Sequence, residues 1–272
     1  MDGTALKMAT VSDPDLTEYL SRPMSLAGAE TLAAIERGPI SPTEALPLPQ
    51  LDRLLDPAPL VAETGWCTLP DGVGYVAVRT PMPAVTAEMV EWWFEWHPRD
   101  PMRYRIWHPQ AHRDNSLEDP ATPGVKAHWG ATHHPVEDVG TGMVHARICF
   151  KRPIELGFST DALEDPAVAT IVCGEVGDDR RRARHSAMAH VFLREGDGVV
   201  LRSQFWLGAL IRPYAPPPLA GAAARALNNR AVRRLALPAG LPRALAMHCA
   251  EEYANLATLL PELHGRYAAT PI

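Results

Sequence analysis

The chain has 272 residues, 46% of them hydrophobic and 21% charged, with a formal net charge of −6. That composition supports one sizeable core under an ordinary solvated acidic surface, and it argues against a basic nucleic-acid face or a polybasic membrane anchor. No apolar run reaches the roughly 20 residues that cross a bilayer, and the opening MDGTALKMATVSDPD lacks the apolar stretch of a signal peptide, so a cytoplasmic location is expected.

Residues 1–65 are rich in Pro, Ala and Leu. A short helix is predicted from Ala29 to Arg37, stopped by Gly38. Ser41-Pro42-Thr43-Glu44 has the form of a capping box that opens another helix. Such a segment is too small to hold its own core and must pack on the main domain, 66–272, or on a second subunit. Gly72–Arg79 reads as a strand, and Thr86 is placed to cap a helix running through Trp93 and Trp96 to His97-Pro98. A loop-rich stretch from Arg99 to Pro135 follows. Strand-like runs then cover Gly142–Lys151, Val168–Gly174, His185–Arg194 and Val199–Leu210, the last two joined by a hairpin turn at Glu195–Gly198. A final helix spans Pro242 to His264, with Pro261 expected to kink or end it. Strands in series with helices at the ends indicate an α+β fold, a curved antiparallel sheet around a long C-terminal helix with a ligand cavity between them. The four cysteines, Cys67, Cys149, Cys173 and Cys249, form no C-x-x-C pair and read as free thiols, three of them in buried apolar stretches.

The last helix carries the most chemistry. Leu245, His248, Glu252, Leu256, Leu259 and Leu263 fall on one stripe, with Glu251 and Asn255 turned to the side, toward solvent. An imidazole and a carboxylate one turn apart thus face the sheet. A buried carboxylate needs a partner, and a divalent metal, a His–Glu hydrogen bond or an ion pair with arginine each qualify. His and Glu at i and i+4 converge on one point, as helical zinc motifs do. A second cluster runs from Trp92 to His97 and from Tyr104 through Trp107 and His112 to Asn115; as a set it suits a pocket wall for an aromatic ligand. A third holds His128, His133, His134 and Glu137, where spacing does not separate Glu137 from Glu118, Glu155 and Glu175 as a further ligand. His190 alternates with Met188 and Phe192 and so faces inward, either as a general acid or base or as a satisfied core histidine.

Taken together, the Trp-rich helix, Tyr104-x7-His112-x2-Asn115, Val136-Glu137-Asp138, His190 and His248-x3-Glu252 resemble the 2,4-diacetylphloroglucinol hydrolase family, which includes phloretin hydrolase. The likeness covers most of the chain after about residue 65. It implies a helix-grip (START-like) catalytic domain at 66–272, a small helical N-terminal region at 1–65 used for dimerisation, and a homodimer. It implies one Zn2+ on His112, Glu137, His248 and Glu252. Catalysis would fall to His190 and Tyr104, and binding of a small aromatic ketone to Tyr104, Asn115, Phe205 and Trp107. A tyrosine of the family that touches substrate falls on Phe205 here, removing one hydrogen-bond donor. The implied reaction is hydrolysis of the carbon–carbon bond between an acyl group and a phenolic ring. The competing reading is a non-catalytic START-like carrier of a hydrophobic or aromatic ligand, since fold alone does not fix function.

Elemental analysis separates the two readings. Purified protein is expected to contain stoichiometric zinc, and His248→Ala to lose both metal and activity; a carrier would contain none.

Overall fold

A computed structural model describes residues 16–119, 126–214 and 217–269. The N-terminal segment contributes helices α1 (Leu16–Ser21) and α2 (Ala29–Glu36) and a 3-10 turn at Leu48–Leu54. Its first 15 residues lie outside the described residues. Helices α3 (Ala87–Trp96) and α4 (Pro101–Trp107) follow the first hairpin, α5 (Pro153–Leu156) and α6 (Thr160–Leu163) are single turns, and α7 (Pro217–Leu227) and α8 (Arg230–Ala236) precede the long α9 (Leu241–Tyr267). The main strands are β1 (Gly65–Thr68), β2 (Gly74–Met82), β7 (Met143–Lys151), β8 (Val168–Asp178), β9 (Ala183–Glu195) and β10 (Gly198–Leu207). Short strands complete the set: β3 (His112–Asp114), β4 (Leu117–Glu118), β5 (Thr132–His133), β6 (Val136–Asp138) and β11 (Arg212–Pro213).

Among the described residues every strand pairing is antiparallel, in the order β1-β2-β10-β9-β8-β7-β5-β4, with β11 on β9 and β6 joining β7 to β3. Helix α9 lies against β1 and β2 and against α2, α3 and α4. This is the expected helix-grip fold. Both faces of the sheet are covered. Met188, His190 and Phe192 of β9 and Leu201, Ser203 and Phe205 of β10 point to the α9 side, as period-2 alternation requires. Ala189, Val191 and Leu193 pack instead under Leu46, Leu51 and Leu54 of the N-terminal segment. Burial on both faces explains why all ten residues of β10 are buried, the polar run Arg202-Ser203-Gln204 included.

Local signals account for much of the geometry. Thr86 Oγ1 accepts the amide of Met89 and caps α3. The β9–β10 hairpin turns on Gly196, whose φ of 60° suits the first central position of a type II′ turn. Gly38, with φ of 108°, follows the end of α2.

Several expectations change. Ser41–Glu44 forms a turn and not a helix: the Ser41 amide donates to Glu44 and the Glu44 amide to the Ser41 carbonyl, which closes the loop on itself. The stretch read as loop contains α4, capped by Asp100 accepting from the Met102 amide, with Pro101 in the first turn. Strand β2 starts two residues later than predicted and runs on to Met82. Pro261 does not end α9, which continues to Tyr267; only one backbone bond is lost to proline, and the Leu259, Leu260 and Leu263 side chains stay in the core. Asn255 does not face solvent. It accepts from the Ser25 amide and donates to the Trp107 carbonyl at 2.9 Å, because α2 and α4 cover that flank of α9. All four cysteines are free and buried. Among the described residues no helix is long and apolar enough to cross a membrane.

Arg202 ties the N-terminal segment to the sheet. Its guanidinium donates to the carbonyls of Leu54, Asp56 and Ala58 and pairs with Glu63 at 2.7 Å. Arg202→Ala strands a carboxylate and three carbonyls and is expected to destabilise the fold by about 3–5 kcal/mol, read as a lowered urea midpoint.

Candidate metal centre and ligand cavity

Three separate elements deliver four ligand-type side chains to one point. His112 comes from β3 and Glu137 from β6, directly opposite each other in the strand register. His248 and Glu252 come from successive turns of α9. His112 Nε2 lies 3.4 Å from Glu137 Oε2 and 3.5 Å from Glu252 Oε2. His248 Nε2 lies 3.4 Å from Glu137 Oε2 and 3.8 Å from Glu252 Oε2. These separations exceed good N–H···O hydrogen bonds, which run to about 3.2 Å. A tetrahedron with metal–ligand arms of about 2.0–2.1 Å has edges of about 3.3–3.4 Å, close to three of the four separations. His112, Glu137 and His248 alone form a group whose ligand atoms lie within 4.8 Å of one another.

The protonation pattern fits cation binding. His112 Nδ1 sits 3.0 Å from the Tyr104 carbonyl and donates to it, leaving Nε2 with its lone pair in the cluster. That Nε2 is buried and has no hydrogen-bond partner. Burial holds the His112 imidazole neutral, well below its ordinary pKa. Burial also opposes ionisation of Glu137, but the adjacent His248 outweighs it and brings this carboxyl down to about 2. Glu252 is pushed up to about 8 by burial, with the Glu137 charge adding to it. Burial lowers His248, yet its contact with Glu137 and the charge of Glu252 outweigh that and raise it to about 9. Two acids crowded together in a buried site hold protons until a cation replaces them. The donor set, two imidazoles and two carboxylates, therefore fits a borderline divalent metal.

The surrounding shell fixes these groups. The Tyr104 ring stacks on His112 with centroids 3.9 Å apart and planes 2° apart, and its hydroxyl donates to Glu137 Oε2 at 2.6 Å. Trp107 Nε1 donates to the Glu252 carbonyl at 2.9 Å. His108 stacks flat on His248, 5.0 Å between centroids, and its Nε2 lies 3.3 Å from Glu251.

A cavity of about 560 Å³, open solvent at its mouth included, adjoins the cluster. Tyr104, Trp107, Asn115, Glu137, His190 and Phe205 all line it. The Asn115 amide is buried with neither its oxygen nor its nitrogen bonded. His190 Nδ1 is 2.8 Å from Ser203 Oγ on the neighbouring strand, and burial alone lowers this imidazole to about 3. Phe205 stands edge-on to His190 at 5.4 Å.

The residues named for catalysis, substrate and metal line one cavity, except that His112 stands among the ligands without lining it; His128 and His134 of the third cluster lie elsewhere, beside Glu91 and Asp179. The carboxylates that spacing had left open are engaged elsewhere: Glu118 with Arg147, Glu155 on the Arg152 amide, and Glu175 with Arg184. Sequence reasoning placed His97 in the pocket wall, and the structure agrees; it missed the stacking of His108 on His248, the Ser203 partner of His190 and the cavity role of His133. His108 lies four residues before His112 and was open to detection as a ring neighbour; Ser203 becomes a partner of His190 only through strand register.

Residues 46–265 match the family model described as the DAPG hydrolase PhiG domain. Phloretin hydrolase of Eubacterium ramulus is 31% identical over 91% of this chain and 88% of its own length. The 2,4-diacetylphloroglucinol hydrolase of Pseudomonas protegens is 32% identical over 86% of this chain and 78% of its own. Among solved structures, Ara h 8.0201 aligns with 70% of this chain and 99% of its own at 8% identity and a TM-score of 0.40.

Because His248 and Glu252 carry protons near neutrality in the metal-free site, cation binding must release them. Affinity for a divalent metal, measured by chelator competition, is expected to rise with pH until both acids have ionised, at about 8 and about 9. A pH-independent affinity would contradict the assigned ligand set. By the match over most of its length and by identity with these relatives, the chain belongs to the DAPG hydrolase family.

Proposed function

We propose that this chain is a zinc-dependent hydrolase that cleaves the carbon–carbon bond between an acyl group and a phloroglucinol-type ring, releasing a carboxylic acid. The observation that carries the reading is the His112, Glu137 and His248 group at ligand spacing, with Glu252 3.5 Å from His112, beside a cavity with an unpaired buried amide. Family membership supports the reaction class.

In this reading His112, Glu137, His248 and Glu252 hold Zn2+. Zinc bound there would supply Lewis acidity, making water ionise nearer neutral pH and polarising the acyl carbonyl. The two carboxylates leave less net charge at the centre than an all-histidine site would, so a protein base is needed as well. His190 fills that role. Its imidazole is neutral in the resting protein and is oriented through Nδ1 by Ser203. It takes a proton from the attacking water and returns one to the ring carbon. The water oxygen bonds to the acyl carbon, the bond to the ring breaks, and its electron pair goes to the ring carbon, which ortho hydroxyls stabilise as an enolate-like anion. Aryl ketone and water thus give arene and carboxylic acid.

Tyr104 stays protonated, its pKa raised well above 10 by burial and by Glu137. It orients Glu137 and faces a phenolic oxygen of the substrate. Asn115 offers both a donor and an acceptor to the phenolic oxygens. Phe205 and Trp107 supply aromatic walls, Phe205 contributing packing where a hydroxyl would otherwise contribute a bond. A homodimer formed through residues 1–65 and a cytoplasmic location complete the reading.

The test is release of carboxylic acid from an acylphloroglucinol. His190→Ala is expected to lower kcat by about 10²–10⁴-fold with zinc content unchanged. Full turnover by that variant would remove His190 from the chemistry; no turnover by wild type would remove the function.

A further inference from the structure

The cavity has a second polar pole that the chemistry above leaves unused. His97 and His133 both line it, and both are buried. His97 follows α3 and gives its Nδ1 proton to the Trp93 carbonyl at 2.7 Å, which leaves Nε2 as a bare acceptor. His133 sits on β5, and its Nε2 is buried with no partner. The two rings meet edge to face at 5.4 Å. Phe94 stands against His97 at 5.4 Å and Phe150 against His133 at 4.5 Å.

We propose that His97 and His133 form a subsite for the ring hydroxyl most remote from the acyl group, so that this chain selects acylphenols with a para hydroxyl. The inference rests on the hydrolase reading for the orientation of the substrate, and adds the group that sets ring specificity.

A buried imidazole nitrogen without a partner is costly unless a ligand satisfies it. The pair is uncharged, since burial lowers His97 to about 3 and His133 well below the ordinary value. An anion therefore gains nothing there. A neutral hydroxyl both donates and accepts, so it satisfies an acceptor on His97 and either tautomer of His133. The position suits a substituted benzene ring. His97 stacks on Tyr104 at 6.1 Å between centroids, and Tyr104 stacks on the ligand His112 at 3.9 Å. Both histidines line the same cavity as Glu137, His248 and Glu252 of the cluster that would handle the acyl carbon. Phe94 and Phe150 supply apolar edges for the ring between.

Two measurements test the subsite. The first compares kcat/KM for phloroacetophenone and for its analogue lacking the para hydroxyl, in wild type, His97→Phe and His133→Phe. Each variant is expected to lose about tenfold more on the first substrate than on the second. Equal losses on both substrates, with wild type active, overturn the subsite and leave the hydrolase reading intact. The second is calorimetric binding of phloroglucinol and resorcinol, which needs no turnover and so decides the inference even if wild type cleaves neither ketone. Wild type is expected to prefer phloroglucinol by about tenfold, and the Phe variants to lose that preference; a preference that survives in both variants overturns the proposal. If phenylalanine prevents folding, read as loss of a cooperative thermal transition, the wild-type ratio decides alone, and a ratio near one overturns the subsite.

Discussion

Two carboxylates and two imidazoles share a space from which water is almost wholly excluded, and the rest of the molecule is arranged around that burden. Desolvating a carboxylate costs several kcal/mol unless something returns the lost interaction. Within the four the separations are too long for good hydrogen bonds, and Glu137 gains one from the Tyr104 hydroxyl outside the set. The acids respond by diverging: Glu137 is drawn to about 2 while Glu252 is pushed to about 8. A centre poised in this way favours an added positive charge, and that preference links the fold to its chemistry.

The architecture holds the four groups against their mutual repulsion and desolvation. Helix α9 sets the spacing of His248 and Glu252 by its own pitch. The β3–β6 pair sets His112 against Glu137 by strand register. What joins these two units is packing. Tyr104 stacks on His112 and bonds Glu137, Trp107 bonds the α9 backbone at Glu252, and Asn255 bonds α4 in return. Helix α4 is therefore a brace between the strands and the long helix. The sheet beneath is stiffened from its other face by the N-terminal segment, held through Arg202.

The cavity beside the cluster is polarised. Away from the cluster its walls are aromatic and aliphatic, and the polar groups they expose are neutral imidazoles and an unpaired amide. Such a surface suits a flat, uncharged ring that carries several hydroxyls, because each hydroxyl serves as donor or acceptor as the wall requires. His190 differs from the other cavity histidines in having a hydroxyl partner, Ser203, across the strand pair.

The amino-acid sequence by itself determined whatever depends on local period and on residue type. The stripe on the last helix, the inward face of the β9 strand, the cap at Thr86 and the hairpin at Gly196 were all legible, because 3.6- and 2-residue periods and turn chemistry operate over a few residues. So was the resemblance carried by Tyr104, His112, Asn115, His248 and Glu252. Tertiary structure alone decided what depends on register and on covering layers. Spacing left Glu137 level with three other acids until pairing with β3 set it opposite His112 and arginines or a backbone amide took the rest. Asn255 looked exposed on a helical wheel, but a wheel does not know that α2 and α4 will pack against that flank. Helix α4 was obscured by its own aromatics, although Asp100-Pro101 marked its start. Contacts between residues 25 to 145 positions apart are chosen by the whole chain collapsing at once, and no local period encodes them.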